Sequence, residues 1–238
     1  MELKDYGIII STIDFKENDK IVQIYTKSNG LISAYAFGAK KSKKRFGGNL
    51  IPFNLSHFQF KKNKDYFSIE EVTVIKYFPE ITKNILNIKI LFNVSSLLNS
   101  QKGHWELNIF KLLYFLLINL NDAKEDADRL KLYIIFCLYI LKKEGVIHNK
   151  KECVSCNSKN ITYLASDDNS IYFKCNRCKN DLEILTKVDK SFLDFFTQAL
   201  SPQRSFLEQK FDKNFLIGVQ KSLTPFLKRY FNINIEQL

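Results

Sequence analysis

The sequence predicts an α+β protein: a small five-stranded barrel at the N-terminus, then a helical region carrying an inserted four-cysteine knuckle. Three observations carry this. Runs of alternating apolar and polar residues fill the first eighty positions, with no helix-like stretch among them. Helix-length segments free of Gly and Pro begin at Lys83. Two Cys-x-x-Cys pairs stand between the third such segment and the last two. The expected domains are residues 1–79 for the barrel and 80–238 for the helical part, with the knuckle at 153–178.

Tyr6 to Ile13 reads as a mostly apolar strand. Lys20 to Thr26 and Leu31 to Phe37 alternate at period two on either side of Gly30. Leu50 to Lys61 and Tyr66 to Phe78 give two more, joined by the turn Lys61-Lys62-Asn63-Lys64-Asp65. Closing five short strands into a barrel removes exposed edges, and the OB-fold is the common five-stranded barrel that binds nucleic acid. Tyr25, Tyr35, Phe37, Phe46 and Tyr66 are available for base stacking, although most aromatics of alternating strands belong to the core.

Between the third and fourth strands lies the densest charge in the chain. Lys40, Lys41, Lys43, Lys44 and Arg45 follow Gly38-Ala39, with no acid among them, and Phe46-Gly47-Gly48 follows. Glycines at both ends argue for an exposed loop. Like charges at this density repel one another unless an anion neutralises them, so these five are candidate phosphate ligands. Lys61 and Lys62 are a second candidate group. The bland alternative is a solvated lysine-rich turn in a lysine-rich chain. Net charge points the same way as the loop: 36 Lys and Arg oppose 25 acids, giving +11, which suits a polyanionic partner.

Asp14-Phe15-Lys16-Glu17-Asn18-Asp19-Lys20-Ile21-Val22 through Gly30, then Gly38-Ala39-Lys40-Lys41 through Leu50-Ile51-Pro52-Phe53, resembles the bacterial recombination mediator family RecO. The likeness is clearest over residues 6–60, and its order of elements (barrel, helices, inserted zinc knuckle) extends along the chain. The resemblance implies a non-enzymatic DNA repair and homologous recombination mediator. Such a protein binds single- and double-stranded DNA, anneals complementary strands and, with RecR, helps load RecA on strands coated by single-strand-binding protein. From another class, an RNA-binding or transcription-associated OB and zinc assembly protein fits the same charge and fold.

Lys83 to Leu98, Trp105 to Leu120 and Asp128 to Glu144 are the expected central helices, with Gly145 as a C-terminal cap. The resemblance also implies docking of the C-terminal tail of single-strand-binding protein on the helical domain. Arg129, at the start of the third helix beside Leu130 and Tyr133, is the candidate cation for that tail. Its alternative is a surface pair with Glu125 or Asp126. Ser191 to Leu200 and Asp212 to Phe231 complete the helices, with Asp212 as an N-cap and a possible kink at Pro225.

Cys153 and Cys156, then Cys175 and Cys178, are separated by eighteen residues. Two residues between thiolates let one turn direct both sulfurs at one ion, and two such turns complete a tetrahedron. One structural zinc per chain is expected, with a short hairpin of Tyr163–Ala165 and Ile171–Lys174 between the pairs. Four sulfurs leave no open position for a catalytic water. His104-Trp105-Glu106 imitates a deaminase H-x-E, but Glu152 rather than Pro precedes Cys153. His57 and His148 stand alone, and Cys137 reads as core. No phosphate-cradling glycine loop, nucleophile elbow or nuclease carboxylate cluster is present. With no signal peptide and no membrane-length apolar run, a cytoplasmic, nucleoid-associated protein with reduced thiols is expected.

Overall fold

The computed structural model describes residues 2–42, 45–100, 107–147, 150–181 and 183–238. Two compact units make up the chain, Met1–Asp122 and Ala123–Leu238.

In the first unit, β1 (Glu2–Phe15), β2 (Asp19–Thr26), β3 (Gly30–Ala36), β4 (Leu55–Lys62) and β5 (Phe67–Lys76) close a barrel in the order β1-β2-β3-β5-β4. All pairs are antiparallel except β3 with β5, where Ala34 faces Phe67 and Tyr35 faces Ser68. This pairing is that of an OB-fold. The 14-residue β1 serves two neighbours, β2 and β4, and its register shifts between Ile9 and Ser11, a bulge that bends the strand round the barrel. Alternation sends Val22 and Ile24, Ala34 and Ala36, and Phe58 and Phe60 inward, to form the core with Ile9, Phe46, Ile69 and Val72. Gly7 has to be glycine for reasons of space. A Cβ there would lie 2.5 Å from Ile24 Cγ2 and 3.1 Å from the Phe58 ring.

The fourth strand begins later than its sequence pattern suggests. Residues 50–54 instead turn through Phe53, whose φ is +64°, while its N–H donates to Ile9 O at 2.7 Å. A single 3-10 turn, Ile81–Lys83, leads into α1 (Ile85–Ser100), whose first turn is capped by Asn84 Oδ1 accepting from Leu86 N at 2.8 Å. α2 spans Leu107–Asp122; the expected start at Trp105, and the His104-Trp105-Glu106 triplet, lie outside the described residues.

The second unit opens with α3 (Asp126–Lys143), which is buried at nearly every position from Arg129 to Leu141. Gly145 ends it as expected, at φ +72°. Its N–H reaches Lys142 O at 3.1 Å and that of Val146 reaches Leu141 O at 3.1 Å, the two bonds of a Schellman cap. β6 (Tyr163–Ser166) and β7 (Ile171–Lys174) form the expected hairpin. A third strand, β8 (Glu183–Lys187), pairs with the other edge of β6. α4 (Lys190–Ala199) is capped by Asp189, and the short α5 spans Arg204–Glu208. α6 (Lys213–Phe231) is capped by Asp212 as predicted and packs against α3. It runs unbroken through Pro225. The neighbouring Thr224 hydroxyl donates to Gln220 O at 2.9 Å, so the ring sits beside a helix turn with added side-chain support.

Candidate nucleic-acid interface and metal centre

The basic loop is anchored more firmly than its composition suggests. Its backbone turns on itself, Ser42 N to Gly38 O at 2.9 Å and Phe46 N to Ser42 O at 3.1 Å, and Phe46 enters the barrel core. That burial drags the neighbouring Arg45 onto β5. Arg45 Nε donates to Glu70 O and Nη2 to Ile69 O, each at 3.2 Å, and the guanidinium lies 4.8 Å over the Phe46 ring. Arg45 therefore braces the loop, with two of its N–H groups committed to backbone carbonyls.

Lys40 is also engaged. Its Nζ lies 3.0 Å from Asp14, which Lys20 approaches at 3.4 Å from the other side. Hydrogen bonds from Lys40 first and then Lys20 hold the Asp14 carboxyl below its usual range. Lys41 is exposed, and so are Lys61 and Lys62, while Lys43 and Lys44 lie outside the described residues. Lys62 Nζ sits 5.5 Å from the Phe67 ring.

The aromatic candidates divide cleanly. Tyr25 and Phe46 are buried. Tyr35, Phe37 and Tyr66 are brought together on the outer surface with Phe15, which the sequence reading had not included. Tyr35 and Phe37 lie nearly parallel, 5.5 Å apart with 5° between their planes. Tyr66 stands edge-on to both, at 5.4 and 6.3 Å, and Phe15 edge-on to Tyr35 at 5.5 Å. The cause is parity: Tyr35 and Phe37 alternate with the inward Ala34 and Ala36. His57 packs edge-on against Tyr6 at 5.2 Å, which is an ordinary cross-strand role.

In the second unit the four cysteines of the two pairs converge. Their sulfurs all lie within 4.8 Å of one another, and Cys156 and Cys175 are 3.7 Å apart. Tetrahedral zinc with bonds of about 2.3 Å sets sulfurs about 3.8 Å apart, so the four thiols fit such an ion. The first pair is shaped by a turn in which Asn157, at φ +58°, donates to Cys153 O at 2.8 Å, while Cys153 N donates to Ser158 O at 2.8 Å. In the second pair Cys178 N donates to Cys175 O at 3.2 Å. Val154 N bonds Phe173 O at 3.0 Å and ties the first turn to β7. The buried Lys174 gives its Nζ to Ser155 Oγ at 2.7 Å, a second tie between the two pairs. Burial opposes ionisation of Cys153, but backbone donors at Cys175, Ser155 and Cys156 outweigh it and bring the thiol down to about 6. Thiolate is the metal-binding form. Cys137, by contrast, is pushed up to about 12 by burial and is core, as its place in α3 predicts.

Arg129 is not the open fork that tail binding would want. Its side chain is nine-tenths buried; Nη2 donates to Ala123 O at 2.6 Å, and Nη1 to Lys124 O at 3.2 Å and Asp126 Oδ1 at 3.3 Å. The guanidinium supplies donors to loop carbonyls that precede α3, and only Nε, also buried, lacks a partner. The nearby Lys131 plays a similar part, its buried Nζ donating to Leu207 O at 2.7 Å in α5 and to Gln209 O at 2.8 Å just after it. Neither role is visible from local sequence. His148 lies outside the described residues. Among the described residues, no helix is long and apolar enough to cross a membrane.

Residues 1–78 match the family model described as Recombination protein O N terminal. The chain is 25% identical to the DNA repair protein RecO of Caldicellulosiruptor saccharolyticus, over 95% of this chain and 92% of that one. It is 28% identical to the protein of the same name from Mycoplasma mycoides, over 97% and 92%. With that of Mesoplasma florum the identity is 25%, over 90% and 79%.

Proposed function

We propose that this chain, a relative of the RecO proteins along most of its length, is a DNA repair and recombination mediator that works by binding rather than by catalysis. Single- and double-stranded DNA are its ligands, and annealing of complementary strands is its direct activity. With RecR it helps RecA load on strands coated by single-strand-binding protein. The observation that carries the DNA part is the closed barrel bearing cations and exposed aromatic rings on its outer surface.

The phosphate contacts assigned to the barrel are Lys40, Lys41, Lys43, Lys44, Arg45, Lys61 and Lys62. Because Lys40 and Arg45 already have protein partners, Lys41 and Lys61 carry the larger share among the described residues. Zinc, one per chain, is the metal proposed for Cys153, Cys156, Cys175 and Cys178, with a stabilising role. The tail of single-strand-binding protein docks on the Ala123–Leu238 unit. There Arg129 acts by holding residues 123–126 in shape, and a tail peptide titrated against Arg129→Ala tests that share. A cytoplasmic, nucleoid-associated location follows from this role.

The direct test is binding of purified protein to single-stranded DNA, duplex DNA and RNA of equal length. Binding to both DNA forms supports the reading. Binding to RNA alone overturns it in favour of an RNA-assembly module.

A further inference from the structure

The aromatic cluster on the barrel is built at a place where rings are costly unless something covers them. Phe37 and Tyr66 are 39% and 40% exposed, and they are not scattered singly: with Tyr35 and Phe15 they form one continuous surface. Its position is set by topology. Phe15 is the last residue of β1, at the edge of the β1–β2 connection, and Tyr66 lies in the β4–β5 connection. Tyr35 and Phe37 stand on β3 and just beyond it, with Ile21 of β2 opposite Tyr35. In five-stranded barrels of this topology, the outer face of strands two and three between those two connections is where an oligomer can lie.

The rim adds charge of the right sign. Lys16 Nζ is 5.3 Å from the Phe15 ring, and Lys20 and Lys40 flank Asp14 and neutralise it. Lys62 and Lys64 border the Tyr66 side, against the single acid Asp65 in that turn. A cationic rim round an apolar, ring-lined floor complements a strand whose phosphates face out and whose bases are unstacked. A duplex offers phosphates to the rim, but its base faces are already stacked on one another.

We infer that Phe37 and Tyr66, supported by Tyr35 and Phe15, form a stacking platform for unpaired bases. This surface selects single-stranded over duplex DNA, while the lysines serve both. The inference rests on the DNA-binding reading above and adds to it the form of DNA and the residues that choose it.

The test uses the full chain with Phe37→Leu and Tyr66→Leu, singly and together. Leucine keeps an apolar side chain on the sheet but has no π-face, so thermal melts should match the parent and any loss reports stacking. Affinity for an oligo-dT strand should fall about tenfold per ring, the equivalent of ~1.4 kcal/mol. Duplex affinity, and the slope of affinity against salt for either form, should not move, because rings release no counterions. If Phe37→Trp is introduced instead, single strands should still bind and should quench the new indole. Equal loss for strand and duplex, or no loss for either while the parent binds both, overturns the platform and leaves DNA binding standing. A parent protein that binds neither form overturns both.

Discussion

The basic loop allows a prediction that separates charge from scaffolding within six residues. Lys41 is exposed and Arg45 is tied down, although both would count equally in a reckoning of cations. Lys41→Ala should flatten the slope of log affinity against log salt by about 0.9 for duplex and about 0.7 for single strands, the share of one neutralised phosphate. Its melting temperature should not change. Arg45→Ala removes two hydrogen bonds to the Glu70 and Ile69 carbonyls and the contact over Phe46. At roughly 1 kcal/mol for each bond, discounted for partial exposure, the loss is about 1–2 kcal/mol, or several degrees of melting temperature. Its effect on the salt slope should be much smaller than that of Lys41→Ala. Asp14→Asn completes the set, since it releases Lys20 and Lys40 from their shared carboxylate and should steepen the slope. Fluorescence anisotropy across a salt series, with a melt of each variant, reads all three. An Arg45→Ala variant that loses slope like Lys41→Ala, with no loss of stability, would refute the reasoning.

Three further outcomes follow from the packing and the metal site. Purified protein should hold one zinc, and Cys175→Ala should lose it and melt earlier; wild-type protein without metal, measured by chelator colorimetry, contradicts the site. Gly7→Ala should cost about 1–3 kcal/mol, because the new methyl meets Ile24 Cγ2 at 2.5 Å and the barrel core has to give way; a melt unchanged from wild type contradicts this close approach. The Lys213 hydrogen bond, aided by the charges of Lys213 and Arg129, holds the Asp126 carboxyl below its usual range against some burial. A depressed carboxylate contributes stability above its unfolded value near 3.8 and loses it as pH falls through the lower folded value. Asp126→Asn should therefore be less stable than the parent at pH 6 and converge with it toward pH 2, and a constant gap in melting temperature contradicts the linkage.

Much of the fold was legible because its signals are local. An apolar run for β1, period-two alternation for β2 and β3, and apolar-rich segments for β4 and β5 located the barrel strands, Gly145 and Asp212 marked helix ends, and Cys-x-x-Cys spacing anticipated the sulfur cluster. What escaped depends on partners far along the chain. β8 is five residues long and exists by pairing with β6, and α5 is little more than one turn, whose Leu207 carbonyl is bonded by Lys131 together with that of Gln209 just after it. Composition put Lys40 and Arg45 among the free cations. Their partners, Asp14 and the 69–70 carbonyls, come into reach only once the barrel closes. Phe46 looked like Phe37 in sequence, yet one enters the core from a loop and the other continues the outward parity of β3. Arg129 shows the same limit: its neighbours Asp126 and Glu125 were visible, but the bonds to Ala123 and Lys124 carbonyls need the loop's path.

The most direct test of a mediator is annealing in the presence of the protein that opposes it. Two complementary DNA strands, each coated with single-strand-binding protein, are mixed with the purified chain, and duplex formation is followed by energy transfer between end labels. The account predicts annealing well above the rate without the chain, lost on combining Lys41→Ala with the Phe37→Leu and Tyr66→Leu changes. Coated strands that anneal no faster with the chain than without it would contradict the account.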